Sequence, residues 1–237
     1  MASQPIKALT FDVFGTVVDW RRSVAREIDA FGRKKGLTID AAAFADAWRD
    51  LYDPAMDDVR AGRRPWVKLD DLHRESLLKL LARFGVNGMS EAEIDDLNRA
   101  WHRLDPWPDV VAGLGRLRRK FILATLSNGN VALMVNMAKR AGLPWDVILG
   151  AEVARHYKPQ PEAYLRTAAF LSLDPGQCMM VAAHPSDLEV AARCGFATAY
   201  VPRPLEYGRD QAAAQPTHQH FDSVAMDFLD LASQLGC

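Results

Sequence analysis

Cysteine is scarce in this chain of 237 residues. Cys178, Cys194 and Cys237 are scattered, without the close pairing of a zinc or redox motif, which excludes a disulfide scaffold and suits reduced thiols in a cytosol. An excess of either charge is missing too: 29 lysines and arginines stand against 30 aspartates and glutamates, a formal net charge of −1. No global field is left to recruit nucleic acid or an anionic lipid surface, and small, locally steered ligands remain. No apolar run approaches the roughly 20 residues that span a bilayer, and the opening "MASQPIK" lacks the basic and apolar regions of a signal peptide. The expectation is a cytoplasmic protein with neither membrane nor nucleic acid among its partners. Internal repeats and low-complexity tracts are absent as well, and the polar stretch "GRDQAAAQPTHQH" reads as a loop with His218 and His220 in solvent rather than on a metal.

What the chain does have is apolar residues, 49% against 25% charged, enough for a sizeable core plus an inserted subdomain. Ile6 to Phe11 is apolar apart from Lys7 and Thr10 and predicts a buried strand, with Gly15 supplying the turn after it. Asp12 therefore sits at a strand's carboxyl end. From about Asp19 to Arg103 the period becomes helical, as in Val24, Ile28 and Phe31 or Leu72, Leu77, Leu80 and Leu81, and no strand interrupts it. The prolines of "RLDPWPDV" close this block, so residues 17–104 are expected to form an all-helical cap inserted into a core of residues 1–16 and 105–237. After Pro108 strands and helices alternate: a helix to about Lys120, strand "FILATLS", a helix from Val131, strand "VILGAE", a helix from Pro161, strand "CMMVAA", a helix from Ser186 and strand "TAYV". Such repetition implies a Rossmann-like, doubly wound α/β core with a parallel sheet. Ligands of open parallel sheets bind beyond the carboxyl ends of the strands, which singles out Asp12, Ser127 with Asn128, and His184 through Asp187, joined by Lys158 from a loop before a helix.

An aspartate at a strand end can cap a helix, hold a cation or attack as a nucleophile. Lys158 is followed by Pro159, which fixes its loop, and Ser127, Asn128 and Gly129 form a small polar turn suited to an anion. The fragments "DVFGT", "LSNGN", "YKPQPEAY" and "AAHPSDL" occur in order, each beside a strand end of one βα series. Together they resemble the haloacid dehalogenase superfamily, and within it the dehalogenases that act on L-2-haloacids, over almost the whole chain. The resemblance implies Asp12 as the nucleophile, Thr16 as its hydroxyl partner, Lys158 as the lysine of the third motif, Tyr164 as its nearby tyrosine and Asp187 as the acid of the fourth. Ser127 and Asn128 would anchor the substrate carboxylate. Arg49, in "AWRDLY", would receive the halide, the alternative being an ordinary exposed helix arginine.

Phosphatases of this superfamily carry a second aspartate two residues after the nucleophile, where this chain has Phe14. An alkoxide leaving a phosphate ester needs a proton from that acid, whereas halide is a weak base and leaves without one. Phe14 is thus tolerable for dehalogenation and would wall the pocket, unless it is only a core aromatic. Lys158 occupies the place of a cation, so no metal and no cofactor are expected. Asp12 would displace halide from C2 of a short (S)-2-haloalkanoic acid, inverting it, and water would then open the aspartyl ester to an (R)-2-hydroxyacid. The fourth motif departs from its better-known members, which place serine and asparagine where Ala182 and His184 stand. His184 is expected to handle the hydrolytic water as a neutral imidazole, with Asp187 orienting it, or else to be a structural histidine. No such role is assigned to His73, His102 or His156. Tyr52 and Trp66 are either substrate-bordering or packing aromatics, and the resemblance leaves room for a homodimer paired through the cap. The rival readings are a Mg²⁺-dependent small-molecule phosphatase and a noncatalytic small-anion binder on the same scaffold.

Overall fold

The computed structural model describes residues 5–208 and 220–237. Strand β1, Ala8–Phe11, ends at the turn that carries Asp12, and a short strand β2, Val18–Asp19, follows. The helical block then comprises α1 (Trp20–Lys35), α2 (Ala41–Asp50), α3 (Tyr52–Arg60), α4 (Leu69–Arg83) and α5 (Glu91–Asn98). Its ends are tied by β3, Asp105–Pro106, which pairs antiparallel with β2. That ribbon was not expected from the sequence, because two-residue strands are too short to carry an alternating pattern. Local chemistry sets the helix ends. Asp19 caps α1 by accepting from the Arg22 amide at 3.1 Å, and Arg33, Lys34 and Lys35 fill its last turn before left-handed Gly36.

Beyond the ribbon come α6 (Val110–Leu117), β4 (Ile122–Ser127), α7 (Val131–Ala141), β5 (Val147–Gly150), α8 (Ala151–Ala154), α9 (Pro161–Phe170), β6 (Cys178–Ala182), α10 (Pro185–Arg193), β7 (Ala197–Tyr200), β8 (Ser223–Val224) and α11 (Phe228–Gln234). The alternation expected after Pro108 is present, with one difference: "VILGAE" stops being a strand at Gly150 and becomes α8. The backbone of Gly150 passes so close to Ser127 that a Cβ there would lie 2.3 Å from the Ser127 carbonyl oxygen.

Among the described residues the strands form a six-stranded sheet in the order β5-β4-β1-β6-β7-β8, every pair parallel. The pleat sends alternate side chains to opposite faces. Leu9, Phe11, Met179 and Val181 therefore join the core that also holds Val110, Leu133 and Phe228, while Ala8, Cys178, Met180 and Ala182 pack with Tyr164 and Leu188. Both faces are buried, as a doubly wound sheet requires. Strand order reverses around β1, and the crevice at such a switch point opens beyond the carboxyl end of the strand, where Asp12 stands. No helix of the described residues is long and apolar enough to cross a membrane.

Candidate active site

Segments that follow β1, β5 and β6 converge on Asp12, which is only 5% exposed. Its Oδ1 accepts from the Lys158 ammonium at 2.8 Å, and its Oδ2 accepts from the Thr16 hydroxyl at 2.6 Å and faces His184 Nδ1 at 3.0 Å. Thr16 Oγ is itself oriented by the Ala183 amide, 2.8 Å away. The Lys158 ammonium bridges to Asp187 Oδ2 at 2.5 Å, and Asp187 Oδ1 accepts from the Tyr164 hydroxyl at 3.1 Å. Asp187 occupies the first turn of α10, whose Pro185 starts the helix without wasting a donor and whose amino end favours a carboxylate.

Burial alone would raise the Asp12 carboxyl, but the Lys158 ammonium, followed by His184, holds it well below the ordinary carboxylate range. Burial would likewise discharge Lys158, yet Asp12 and Asp187 keep its ammonium well above the ordinary lysine value. The Tyr164 hydroxyl is kept protonated by burial and by the charge of Asp187.

His184 has different neighbours from those expected. Its Nδ1 faces Asp12, and its Nε2 lies 2.9 Å from Glu206 Oε2 and 3.1 Å from Oε1. Asp187 is engaged by Lys158 and Tyr164, so the carboxylate that orients the imidazole is Glu206. Burial would depress the imidazolium, but the hydrogen bonds and charges of Asp12 and Glu206 outweigh it and push it up to about 10. That environment favours the imidazolium over the neutral imidazole expected near pH 7. Glu206, 2% exposed, also accepts from Trp20 Nε1 at 2.9 Å.

These groups open onto a cavity of about 440 Å³ whose lining includes Asp12, Phe14, Arg49, Tyr52, Asn128, Lys158, His184, Asp187 and Tyr207. Phe14 is buried and meets Tyr52 and Trp101 edge-on, at centroid distances of 6.2 and 5.8 Å. Arg49 is not an ordinary exposed helix arginine. Its guanidinium lies over the Tyr52 ring at 4.2 Å, and its buried Nη1 has no hydrogen-bond partner among the described residues. Asn128 holds the Lys158 amide through its Oδ1 at 2.8 Å. Ser127 is buried, with its hydroxyl accepting from the Gly129 amide at 3.1 Å. Tyr164 is buried behind Asp187. Of the two aromatics singled out from the sequence of the helical block, Tyr52 borders the cavity and Trp66 stacks on Tyr157 at 4.6 Å.

Asp12, His184 and Asp187 bring candidate metal-ligand atoms within 4.8 Å of one another. A cation there would have to share both carboxylates with the Lys158 ammonium that already bridges them. His220 is exposed, and His218 lies outside the described residues. A larger cleft of about 660 Å³ runs along the β2–β3 ribbon, but its charged residues are already paired, Arg26 with Asp105 and Arg21 with Asp46.

Sequence reasoning missed Glu206, Tyr207 and Arg60, the last of which also lines the cavity. The rule that favours residues just beyond strands would have reached "RPLEYG" after β7, which supplies the first two.

The haloacid dehalogenase-like hydrolase family matches residues 6–195 of the chain. The chain is similar to the crystal structure of a defluorinating L-2-haloacid dehalogenase, with 47% identity and a TM-score of 0.95 over 98% of this chain and 96% of that one. A second L-2-haloacid dehalogenase structure shares 45% identity and a TM-score of 0.92 over 98% of this chain and all, 100%, of the other. Among curated proteins, an (S)-2-haloacid dehalogenase of Xanthobacter autotrophicus is 29% identical over 84% of this chain and 76% of its own length.

Proposed function

This chain belongs to the haloacid dehalogenase-like hydrolases, and on that premise we propose that it hydrolyses short (S)-2-haloalkanoic acids to (R)-2-hydroxyacids through an ester on Asp12. The observation that carries this reading is an ionised Asp12 sharing one cavity with Arg49, whose buried Nη1 has no hydrogen-bond partner among the described residues. An N–H left without a partner in a closed site is costly unless something fills it. A halide leaving C2 supplies the missing acceptor, and its charge is then stabilised only as the bond breaks.

The substrate carboxylate docks by Asn128 and the turn after β4. Asp12 Oδ1 attacks C2 as the halide departs toward Arg49, inverting the carbon. Oδ2, held by Thr16 and His184, becomes the carbonyl oxygen of the ester. Esterification removes the negative charge of Asp12, one of the two that keep the imidazole protonated. The ring then releases its Nδ1 proton, while Glu206 retains the Nε2–H. The freed Nδ1 takes a proton from the water that attacks the ester carbonyl and returns it to the departing hydroxyacid oxygen. The carboxyl proton left on Asp12 re-forms the imidazolium, so the cycle releases one halide and one proton overall. Phe14 in place of an acid supports this reading over phosphate-ester hydrolysis, in which an alkoxide must be protonated. The inserted helices act as the cap that closes the site, and the protein works in the cytoplasm with Lys158 in place of a metal.

The test is a single turnover of 2-chloropropionate in ¹⁸O water with excess enzyme and EDTA. Chloride release, an unlabelled product hydroxyl and an Asp12 peptide heavier by one ¹⁸O are expected. Immediate labelling of the product with an unlabelled peptide excludes the ester. A requirement for Mg²⁺, or phosphate release from phosphomonoesters without halide release, favours the phosphatase.

A further inference from the structure

We infer that Arg60 is a positioning residue that couples the seating of the helical cap to the placement of the Lys158 ammonium. Arg60 ends α3, the helix whose first residue, Tyr52, walls the cavity. Its Nε donates to the Lys158 carbonyl at 2.9 Å, and its own carbonyl accepts from Gln160 Nε2 at 3.1 Å. On the other side of the same residue, the Lys158 amide donates to Asn128 Oδ1 at 2.8 Å. The backbone of Lys158 is thus gripped from the core through Asn128 and from the cap through Arg60.

The guanidinium is not a loose cation waiting for substrate. Its Nη2 pairs with Asp53 Oδ1 at 2.9 Å and its Nη1 with Asp57 Oδ1 at 3.1 Å, both carboxylates belonging to α3. Those two contacts fix the fork on its own helix and leave Nε aimed at the core. A charged donor on a carbonyl makes a strong, directional bond. It acts on a residue whose side chain must reach Asp12 and Asp187 at once. If the cap lifts, this bond and that of Gln160 break together. The Lys158 backbone then keeps its bond to Asn128 and loses that to the cap, and the ammonium is aligned less firmly on the nucleophile. Full alignment of Asp12 would be restricted to the closed, water-poor state.

This inference rests on the dehalogenase reading for its kinetic arm, so the test includes an arm that does not. Arg60→Met keeps the stem and removes the donors, and Gln160→Met removes only the reciprocal bond. In single turnovers at saturating 2-chloropropionate, Arg60→Met is expected to slow ester formation by about 10- to 100-fold while hydrolysis of the ester already formed stays near parental. Gln160→Met should shift ester formation in the same direction by less. Without substrate, competitive acetylation by acetic anhydride, read by mass spectrometry, should modify Lys158 of Arg60→Met severalfold faster than in the parent, relative to the exposed lysines. Unchanged Lys158 labelling overturns the proposal. So does an equal fall in both chemical steps that tracks a lowered melting temperature, the signature of a merely structural residue. If the parent releases no halide, the dehalogenase reading fails and the labelling comparison still decides the role of Arg60.

Discussion

Asp12 accepts hydrogen bonds on both of its oxygens, so replacing it with asparagine changes chemistry more than shape. The amide is a poor nucleophile and also turns an NH₂ group toward Lys158 or Thr16. Asp12→Asn is expected to lower halide release by more than about 1,000-fold with circular dichroism and elution volume unchanged, checked on protein shown by mass spectrometry not to have deamidated. Near-parental turnover would refute the nucleophile. His184 belongs to a different step. His184→Gln should form the ester and then retain it, with hydrolysis slower by about 10²- to 10⁴-fold, read as a persistent mass increase on the Asp12 peptide. Glu206→Gln should shift the same step by less, because the imidazole remains and only its orienting charge is gone. An ester that turns over at the parental rate in both variants would leave His184 and Glu206 with a structural role.

At the scale of elements, the turn after β1 decides whether these residues meet. Gly15 has φ of +85°, and a Cβ on it would lie 2.1 Å from Glu206 Oε1, while its carbonyl accepts from Trp107 Nε1 at 2.8 Å. Gly15→Ala therefore adds backbone strain and pushes Glu206 off His184. A loss of roughly 1 kcal/mol or more of stability is expected, together with ester accumulation resembling that of Glu206→Gln. Unaltered thermal unfolding and ester lifetime would show that the turn has room. The same turn marks the limit of what the sequence makes legible. Asp12, Asn128 and His184 were readable because each follows a hydrophobic strand, and βα alternation is a local pattern. The partnership of Trp20 with Glu206 spans 186 positions and leaves no periodic trace. Nor does the burial of Arg49 Nη1, which depends on helices folding back over the sheet. The neutral imidazole expected of His184 has the same origin, since its environment depends on Glu206, a residue in the segment after β7 to which the sequence pattern assigns no role.

At the scale of the whole molecule, two histidines of opposite character, His73 buried and His184 partly exposed, shape stability against pH. His184 is held protonated, pushed up to about 10 from an ordinary 6.5. His73 is stacked on Trp101 at 4.4 Å with neither ring nitrogen partnered among the described residues, and burial pushes it down to about 3. From 6.5 upward the folded chain retains a His184 proton that the unfolded chain gives up. The stabilisation from His184 is therefore complete below 6.5 and lost as pH rises toward 10. From 6.5 downward the unfolded chain binds a proton that His73 refuses, so that contribution is complete above 6.5 and lost as pH falls toward 3. The expected profile is a tent with its apex near pH 6.5, each limb sloping by up to about 1.4 kcal/mol per pH unit. Urea unfolding from about pH 5 to 8 avoids most of the carboxylates, thiols and phenols, which titrate outside that range, and so leaves out the Cys178 thiol, which burial pushes up to about 11. His73→Phe, which keeps an aromatic ring against Trp101, should flatten the acid limb alone. His184→Gln should flatten the alkaline limb alone. An acid limb that survives in His73→Phe would mean that the ring accepts a proton in the folded state. An alkaline limb that survives in His184→Gln would mean that the resting imidazole is neutral, and the proton cycle proposed for ester hydrolysis would then have to begin from a different state.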